Sequence, residues 1–265
     1  MKEAVRHGAR HLVLGVGGSA TVDGGAGAMR ALGIRFLDRS DKEIPEGGGG
    51  LAKLQKADLS ECVWRGQEIQ MTILADVENP LLGKNGAAAV FGPQKGATPT
   101  VVQKLAKSLK RLDRVILRHH GRFLSTFISG GAAGGAVAGF VGLLGNVEGV
   151  TIRVTLRIDY VLEVLKAEAA IKKADWIFTG EGQLDSQTAH GKTIHGLARL
   201  AQRFHKPIIA FAGEMHLSPS ETKQMGLTAA FTIAPGPCTL EESFRHSTIW
   251  LRNAAAQLTR LITSK

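Results

Sequence analysis

The chain has 265 residues, 44% of them hydrophobic and 21% charged, which is enough for one large domain or two small ones with a substantial core. No apolar run approaches the roughly 18 residues of a membrane span, the polar start MKEAVRHGAR has no signal-peptide h-region, and Cys62 and Cys238, outside any C-x-x-C, argue against a disulfide framework and for a reducing cytoplasm. The formal charge of +10 favours anionic partners, but with basic residues spread along the chain and only one tyrosine and three tryptophans, a small anionic substrate is expected rather than nucleic acid.

In chain order, His11–Gly15 (HLVLG) reads as a buried strand that breaks into the glycine-rich stretch 17–27. A short helix over Ala28–Leu32, a strand over Ile34–Leu37, a flexible loop at 45–50 (PEGGGG) and a strand over Ile69–Ala75 follow. Thr98-Pro99 opens a helix with a capping hydroxyl and a proline in its first turn, and Gly121 closes it. Val101, Leu105, Leu109, Leu112 and Ile116 form its apolar face, while the basic residues at 104, 107, 110, 111, 114 and 118 form a solvated one. From Ala174 the pattern becomes a regular alternation. Strand 176–179 leads to helix 192–204, strand 207–212 to a helix from Ser218-Pro219 to Gly226, and strand 229–234 to a last helix opened by Thr239-Leu-Glu-Glu242. Strands separated by helices of this length predict parallel pairing, with ligands beyond the C-terminal strand ends, where residues 180–192, 213–216 and 235–238 would meet.

Four segments carry candidate chemistry. Glycine is 33 of 265 residues, nearly twice the usual share of about 7%, and its clustering points to loops that approach a ligand. Gly15 to Gly25 places successive glycines with Ser19 and Thr21 between a strand and a helix, an arrangement that offers N–H groups to an anion. Gly15-x-Gly17-x-x-Ala20, with Asp38 after the next strand, also fits a dinucleotide fingerprint, but Asp23-Gly24-Gly25 delays the helix that the fingerprint needs. Thr179 to Thr188 and then Gly191-Lys192-Thr193 put two carboxylates and several hydroxyls at a strand end; phosphoryl transfer needs carboxylates for Mg²⁺ and cations or N–H groups for phosphate oxygens. A P-loop is excluded, because Ser186 stands where its first glycine belongs. Asp76, at a strand end in Asp76-Val-Glu78-Asn79-Pro80, is a candidate Mg²⁺ or substrate ligand. The loop Ser129 to Gly135 either holds substrate or lets two backbones pack closely. No H-E-x-x-H, C-x-x-C or G-x-S-x-G is present, and the adjacent His119 and His120 point about 100° apart on a helix.

Together these segments resemble the glycerate kinase family. The matching stretches run in order along nearly the whole chain: GVGGSATVDGGAG (15–27), ADVENPLLG (75–83), AAAVFGPQKGATP (87–99), GGAAGGAVAG (130–139), ADWIFTGEGQLDSQTAHGKT (174–193) and PIIAFAGEM (207–215). The resemblance implies ATP- and Mg²⁺-dependent phosphorylation of D-glycerate by a two-domain α/β fold. Its flavodoxin-like parallel-sheet domain is made from both chain ends, and a mixed α/β domain is inserted between them. Residues 1–175 would be the inserted domain, incomplete at its start, and 176–265 the C-terminal half of the flavodoxin-like domain. Asp185, Lys192 and Asp76 are the expected catalytic residues. Gly17, Gly18, Ser19, Thr21, Gly180, Glu181 and Gly182 are expected to bind nucleotide or phosphate, Asn79, Gly130, Gly131 and Ser186 the substrate, and Asp185 and Glu181 the metal.

Three departures from the family pattern accompany the resemblance. The usual first third, with its A-P-D-S-F-K-like loop, has no counterpart here. Val22 replaces the usual asparagine of T-N-D-G-G, and Gln183 the usual arginine of G-E-G-R-x-D. Two readings therefore stand at this point: a working kinase, completed by a separate N-terminal chain or as a homo-oligomer, or a non-catalytic remnant that binds ligand or a partner chain without turnover.

Overall fold

A computed structural model describes residues 1–185 and 193–264. The chain forms two compact units, Met1–Arg157 and Ile158–Lys265; this boundary lies ahead of the 175/176 division drawn from the sequence.

In the first unit, α1 (Lys2–Arg6) precedes β1 (His11–Gly15), α2 (Ala26–Arg30) and β2 (Arg35–Leu37). Then come β3 (Lys56–Asp58), β4 (Ile69–Leu74), α3 (Ala87–Phe91), α4 (Pro99–His120), α5 (Ala132–Gly142) and β5 (Val150–Thr155). The main sheet is fully parallel in the order β1-β4-β5, and β2 and β3 form an antiparallel pair beside it. The central strand carries the most buried side chains, Ile69, Met71 and Ile73, as a strand flanked on both edges must. Helix α4 starts and stops where the sequence marks it. Thr98 Oγ1 accepts the Val101 N–H, Pro99 occupies the first turn, and Gly121 takes the left-handed conformation at φ 65°. It buries Leu109, Leu112, Val115 and Ile116, each worth about 1.5–3 kcal/mol in removed apolar surface.

Helix α6 (Arg157–Val164) starts on the last residue of the first unit; in the second, it and α7 (Ala167–Lys173) precede β6 (Ile177–Leu184), α8 (Thr193–Arg203), β7 (Ile208–Met215), α9 (Pro219–Gln224), β8 (Ala229–Thr232) and α10 (Leu240–Thr263). The strands pair in parallel in the order β6-β7-β8, as the alternation predicts. Helix α8 covers one face, setting Ile194, Ala198 and Ala201 against Ile177, Ile208, Ala210 and Ala212. Helix α10 covers the other through Leu258, against Ile209 and Phe211. The capping boxes at Ser218–Glu221 and Thr239–Glu242 are both formed.

The strand β6 is twice the expected length and continues past Thr179 through Gly180 to Leu184, residues expected beyond the strand end. Pairing of Gly180 with Phe211, Glu181 with Ala212 and Gln183 with Glu214 supplies the ladder bonds that local propensity disfavours. The α2 helix begins two residues before Ala28, with the left-handed Gly25 at its N-cap, and the buried Asp23 just ahead of it accepts the N–H groups of Gly25 and Gly27, both at 3.0 Å.

Candidate functional site

Parallel pairing in the second unit brings the C-terminal ends of β6, β7 and β8 to one edge, where they and the start of α10 enclose a cleft of about 1000 Å³. Glu181, Gly182 and Gln183 line it from β6, Gly213 and Glu214 from β7, and Thr239 and Ser243 from α10. A β-carbon on Gly213 would sit 2.8 Å from the Gly182 carbonyl oxygen, so glycine at 213 lets the two strands run side by side here. A β-carbon on Gly182 would meet nothing within 4 Å, so the space above that residue is open. Residues 235–238, joined to this edge by the sequence pattern, supply Pro235, Gly236 and Cys238 to the lining.

The chemistry of the cleft centres on Glu181. Its Oε2 is buried and has no hydrogen-bond partner among the described residues, a costly state for a carboxylate oxygen that a cation would relieve. Asp185 follows directly on the last residue of β6 and is half-buried. Glu181 and Glu214 line the cleft and Asp185 lies just beyond β6; Mg²⁺ is held by one or two carboxylates together with phosphate oxygens, and among the described residues no group of three or more His, Cys, Asp or Glu converges. On the far wall, Glu242 Oε2 accepts the Thr239 N–H at 2.8 Å, and this bond with that of the Thr239 hydroxyl holds the Glu242 carboxyl below its ordinary pKa. The first turn of the 24-residue α10, with the positive end of its dipole, therefore borders the cleft. Ser186 and Lys192 lie outside the described residues.

The first unit gathers a second set of groups at the C-terminal edge of its own sheet. Asp76 follows β4, and Arg157 follows β5. The Arg157 guanidinium lies 2.8 Å from Asp76 Oδ2, and the Arg157 backbone N–H donates to Oδ1 at 3.3 Å. The glycine loop follows β1, with Gly17, Gly18 and Thr21 exposed and Ser19 half-buried. Val22 is buried within the core, so an apolar side chain suits that position.

Sequence reasoning gave Lys95 no role, yet it reaches this loop. Its ammonium donates to Ser19 Oγ at 2.8 Å and to the Thr21 carbonyl at 2.7 Å. Burial lowers its pKa, and the nearby Asp23 opposes that shift. No spacing connects position 95 with position 19; only the Gly92–Gly96 turn marks the lysine as placed rather than solvated.

The remaining expected substrate residues hold the scaffold. The Asn79 side-chain amide donates to the Asn85 carbonyl at 2.9 Å. Gly130 and Gly131 are buried, and their N–H groups donate to the carbonyls of Phe127 and Asn79. A side chain at Gly131 would collide with the Pro80 carbonyl, one at Gly134 with that of Thr21, and one at Gly139 with that of Gly24. Of the two roles open to this glycine loop, the geometry therefore displays close backbone packing, against both the 79–80 segment and the 21–24 turn.

Comparison with known proteins matches the profile of the Glycerate kinase family to residues 1–263. The chain is 38% identical to a glycerate kinase of Bacillus subtilis (strain 168) over 255 residues, 96% of this chain and 65% of that protein. It is 37% identical to the glycerate 2-kinase of Escherichia coli (strain K12), over 92% of this chain and 62% of that one. A crystal structure assigned as glycerate kinase 2 of Salmonella typhimurium LT2 superposes with a TM-score of 0.79 at 38% identity, covering 99% of this chain and 68% of that one. The chain thus spans a little under two thirds of the length of these curated relatives. On family profile, relatives and fold alike, the chain belongs to the Glycerate kinase family.

Proposed function

We propose that this protein takes part in ATP- and Mg²⁺-dependent phosphorylation of D-glycerate, with the cleft at the C-terminal ends of β6, β7 and β8 as its nucleotide site. Glu181 Oε2, without a hydrogen-bond partner among the described residues, carries this reading: a buried carboxylate oxygen at a cleft of about 1000 Å³, beside glycine backbone and a helix start, calls for a cation. Relatives named for glycerate phosphorylation support the substrate.

In the transfer, a glycerate hydroxyl oxygen forms a bond to the γ-phosphorus while the bond from that phosphorus to the β,γ-bridging oxygen breaks, and ADP leaves with the electron pair. The hydroxyl proton passes to a carboxylate, for which Asp76 and Asp185 are the candidates. Bound Mg²⁺ would neutralise phosphate charge, with Glu181 and Asp185 as its ligands. Gly180 and Gly182 expose backbone to the phosphates without side chains in the way, and Gly17, Gly18, Ser19 and Thr21 offer N–H groups to an anionic oxygen. Ser186 and Lys192 keep the substrate and phosphate roles that their motif implies, and Asn79, Gly130 and Gly131 shape the substrate loop. In the domain reading that goes with this function, residues from about 176 onward are half of a flavodoxin-like domain and those before it most of an insert.

The second reading, ligand binding without turnover, rests on Gln183, which lines the cleft where the family pattern carries arginine. A coupled assay for ADP release with D-glycerate separates the two, run with and without the N-terminal third of a relative supplied as a separate polypeptide. Turnover above about 1 per second in either arm establishes the kinase. Folded protein that binds Mg-ATP and shows no turnover in both arms establishes the remnant.

A further inference from the structure

The loop after β1 has unusual hydrogen bonding. Among the described residues, the backbone N–H groups of Gly17, Gly18, Ser19, Ala20 and Thr21 find no acceptor, although those of Val16 and Gly24 on either side donate to the carbonyls of Leu74 and Gly134. Five successive unengaged donors form a concentration of positive partial charge of the kind that binds oxyanions. Lys95 stands against this loop as a half-buried cation with no counter-ion among the described residues. Both its contacts are to neutral oxygens, and among the described residues no carboxylate lies within ion-pair distance of it. The Asp23 carboxylate, which acts on Lys95 through space, is already engaged by the N–H groups of Gly25 and Gly27. An ammonium has three donors, and two are used here.

We propose that Lys95 is the charged member of an oxyanion site formed with the 17–21 loop, binding a phosphate or carboxylate group through its remaining donor and the loop N–H groups. The proposal rests on the family reading above for the loop and adds to it the residue that supplies the charge. Loop and lysine divide the work. The N–H groups are fixed by the backbone and set the shape of the site, whereas the ammonium gives charge-assisted binding and salt dependence. Its bond to Ser19 Oγ keeps the side chain from extending into water, so little order is lost when the anion arrives.

The test is equilibrium binding by the full chain, with inorganic phosphate, D-glycerate and Mg-ATP titrated separately while the backbone amides of residues 17–21 are followed by NMR. The three arms separate a phosphate source from a carboxylate source. At least one anion should shift those amides. Lys95→Met should weaken that anion about tenfold or more, and Lys95→Arg should restore most of the loss. Ser19→Ala, which removes an acceptor of Lys95 but no charge, should weaken that anion clearly less than Lys95→Met does. Unchanged binding in Lys95→Met overturns the proposal, as does a loss in Ser19→Ala equal to that in Lys95→Met, which would make the lysine only a brace for the loop. Circular dichroism of each variant shows whether it folds; if Lys95→Met does not, the Lys95→Arg and Ser19→Ala pair decides. Mg-ATP binding that is abolished by Glu181→Gln, with no anion shifting residues 17–21, overturns this proposal alone. Amide shifts with phosphate or glycerate and no Mg-ATP binding leave it standing and remove the nucleotide cleft.

Discussion

The α-carbon of Gly139 lies flush against the carbonyl of Gly24, with no room between them for a methyl group. The Gly24 N–H also donates to the Gly134 carbonyl at 3.1 Å, so two glycine motifs more than a hundred residues apart are clamped together through main-chain atoms. A backbone oxygen cannot swing aside as a side chain does. Gly139→Ala should therefore cost about 3 kcal/mol, at the upper end for overpacking, lowering the melting temperature by about 6–12 °C. Thermal unfolding followed by circular dichroism checks it; a fall of under 2 °C would show that the turn can shift.

The orphaned oxygen of Glu181 makes a prediction of opposite sign for stability and for ligand response. Without ligand, Glu181→Gln should leave the melting temperature unchanged or raise it, because the buried Oε2 that finds no hydrogen-bond partner among the described residues then no longer belongs to a carboxylate. With Mg-ATP at 100 times its Kd, the wild type should gain about 2.7 kcal/mol and the variant much less. Asp185→Asn should likewise blunt the response. A full Mg-ATP shift in Glu181→Gln would exclude that residue from the metal site.

Asp113 gives a pH dependence. Its carboxyl is buried, accepts the Leu124 N–H at 2.9 Å, and has its pKa raised above the ordinary 3.8 by burial, against the opposing pull of that bond. A raised folded-state pKa means that the native state holds the proton more tightly than the unfolded chain does, so this group's contribution is complete below about pH 3.8 and is lost as pH rises through the folded value. Asp113→Asn cannot titrate. Its stability relative to wild type should therefore improve steadily from acid to neutral pH, measured as a difference in melting temperature; a difference that is flat with pH would refute the assignment.

The ion pair between Asp76 and Arg157 separates catalysis from stability. Both side chains are substantially exposed, at 37% and 57%, so a double-mutant cycle of Asp76→Asn and Arg157→Gln should give a coupling of only about 0.2–1 kcal/mol. If Asp76 acts on the acceptor, its substitution should lower kcat by far more than this coupling accounts for. Equal small effects on stability and turnover would reduce Asp76 to a surface pairing residue.

The elements legible in the sequence were those whose ends are fixed by chemistry within one turn. The Thr98–Pro99 start and Gly121 end of α4, and the capping boxes of α9 and α10, involve partners three or four residues apart. The extension of β6 was not legible, because its ladder partners on β7 are some thirty residues away and its own glycines speak for a loop. A signal for β5 does exist, in the alternation of Val150, Ile152 and Val154 with Thr151, Arg153 and Thr155, but the run is short and sits far from its partner β4. At the candidate site, the motifs named the glycine loops and the Glu181–Asp185 segment. They could not show that Glu181 is left without a hydrogen bond, that Lys95 reaches Ser19, or that Gly130 and Gly131 turn their N–H groups inward, since each depends on contacts across the fold.

The clamp of Gly24 against Gly134 and Gly139 has a consequence for how this protein can change. Since the contact is made by main-chain atoms, it holds the β1 loop in place whatever side chains that loop carries, provided position 22 stays apolar enough to enter the core. The exposed Ala20 can then be exchanged freely without unseating its neighbours. Selection, natural or in the laboratory, is thereby given a fixed rim on which new ligand preferences can be written one residue at a time.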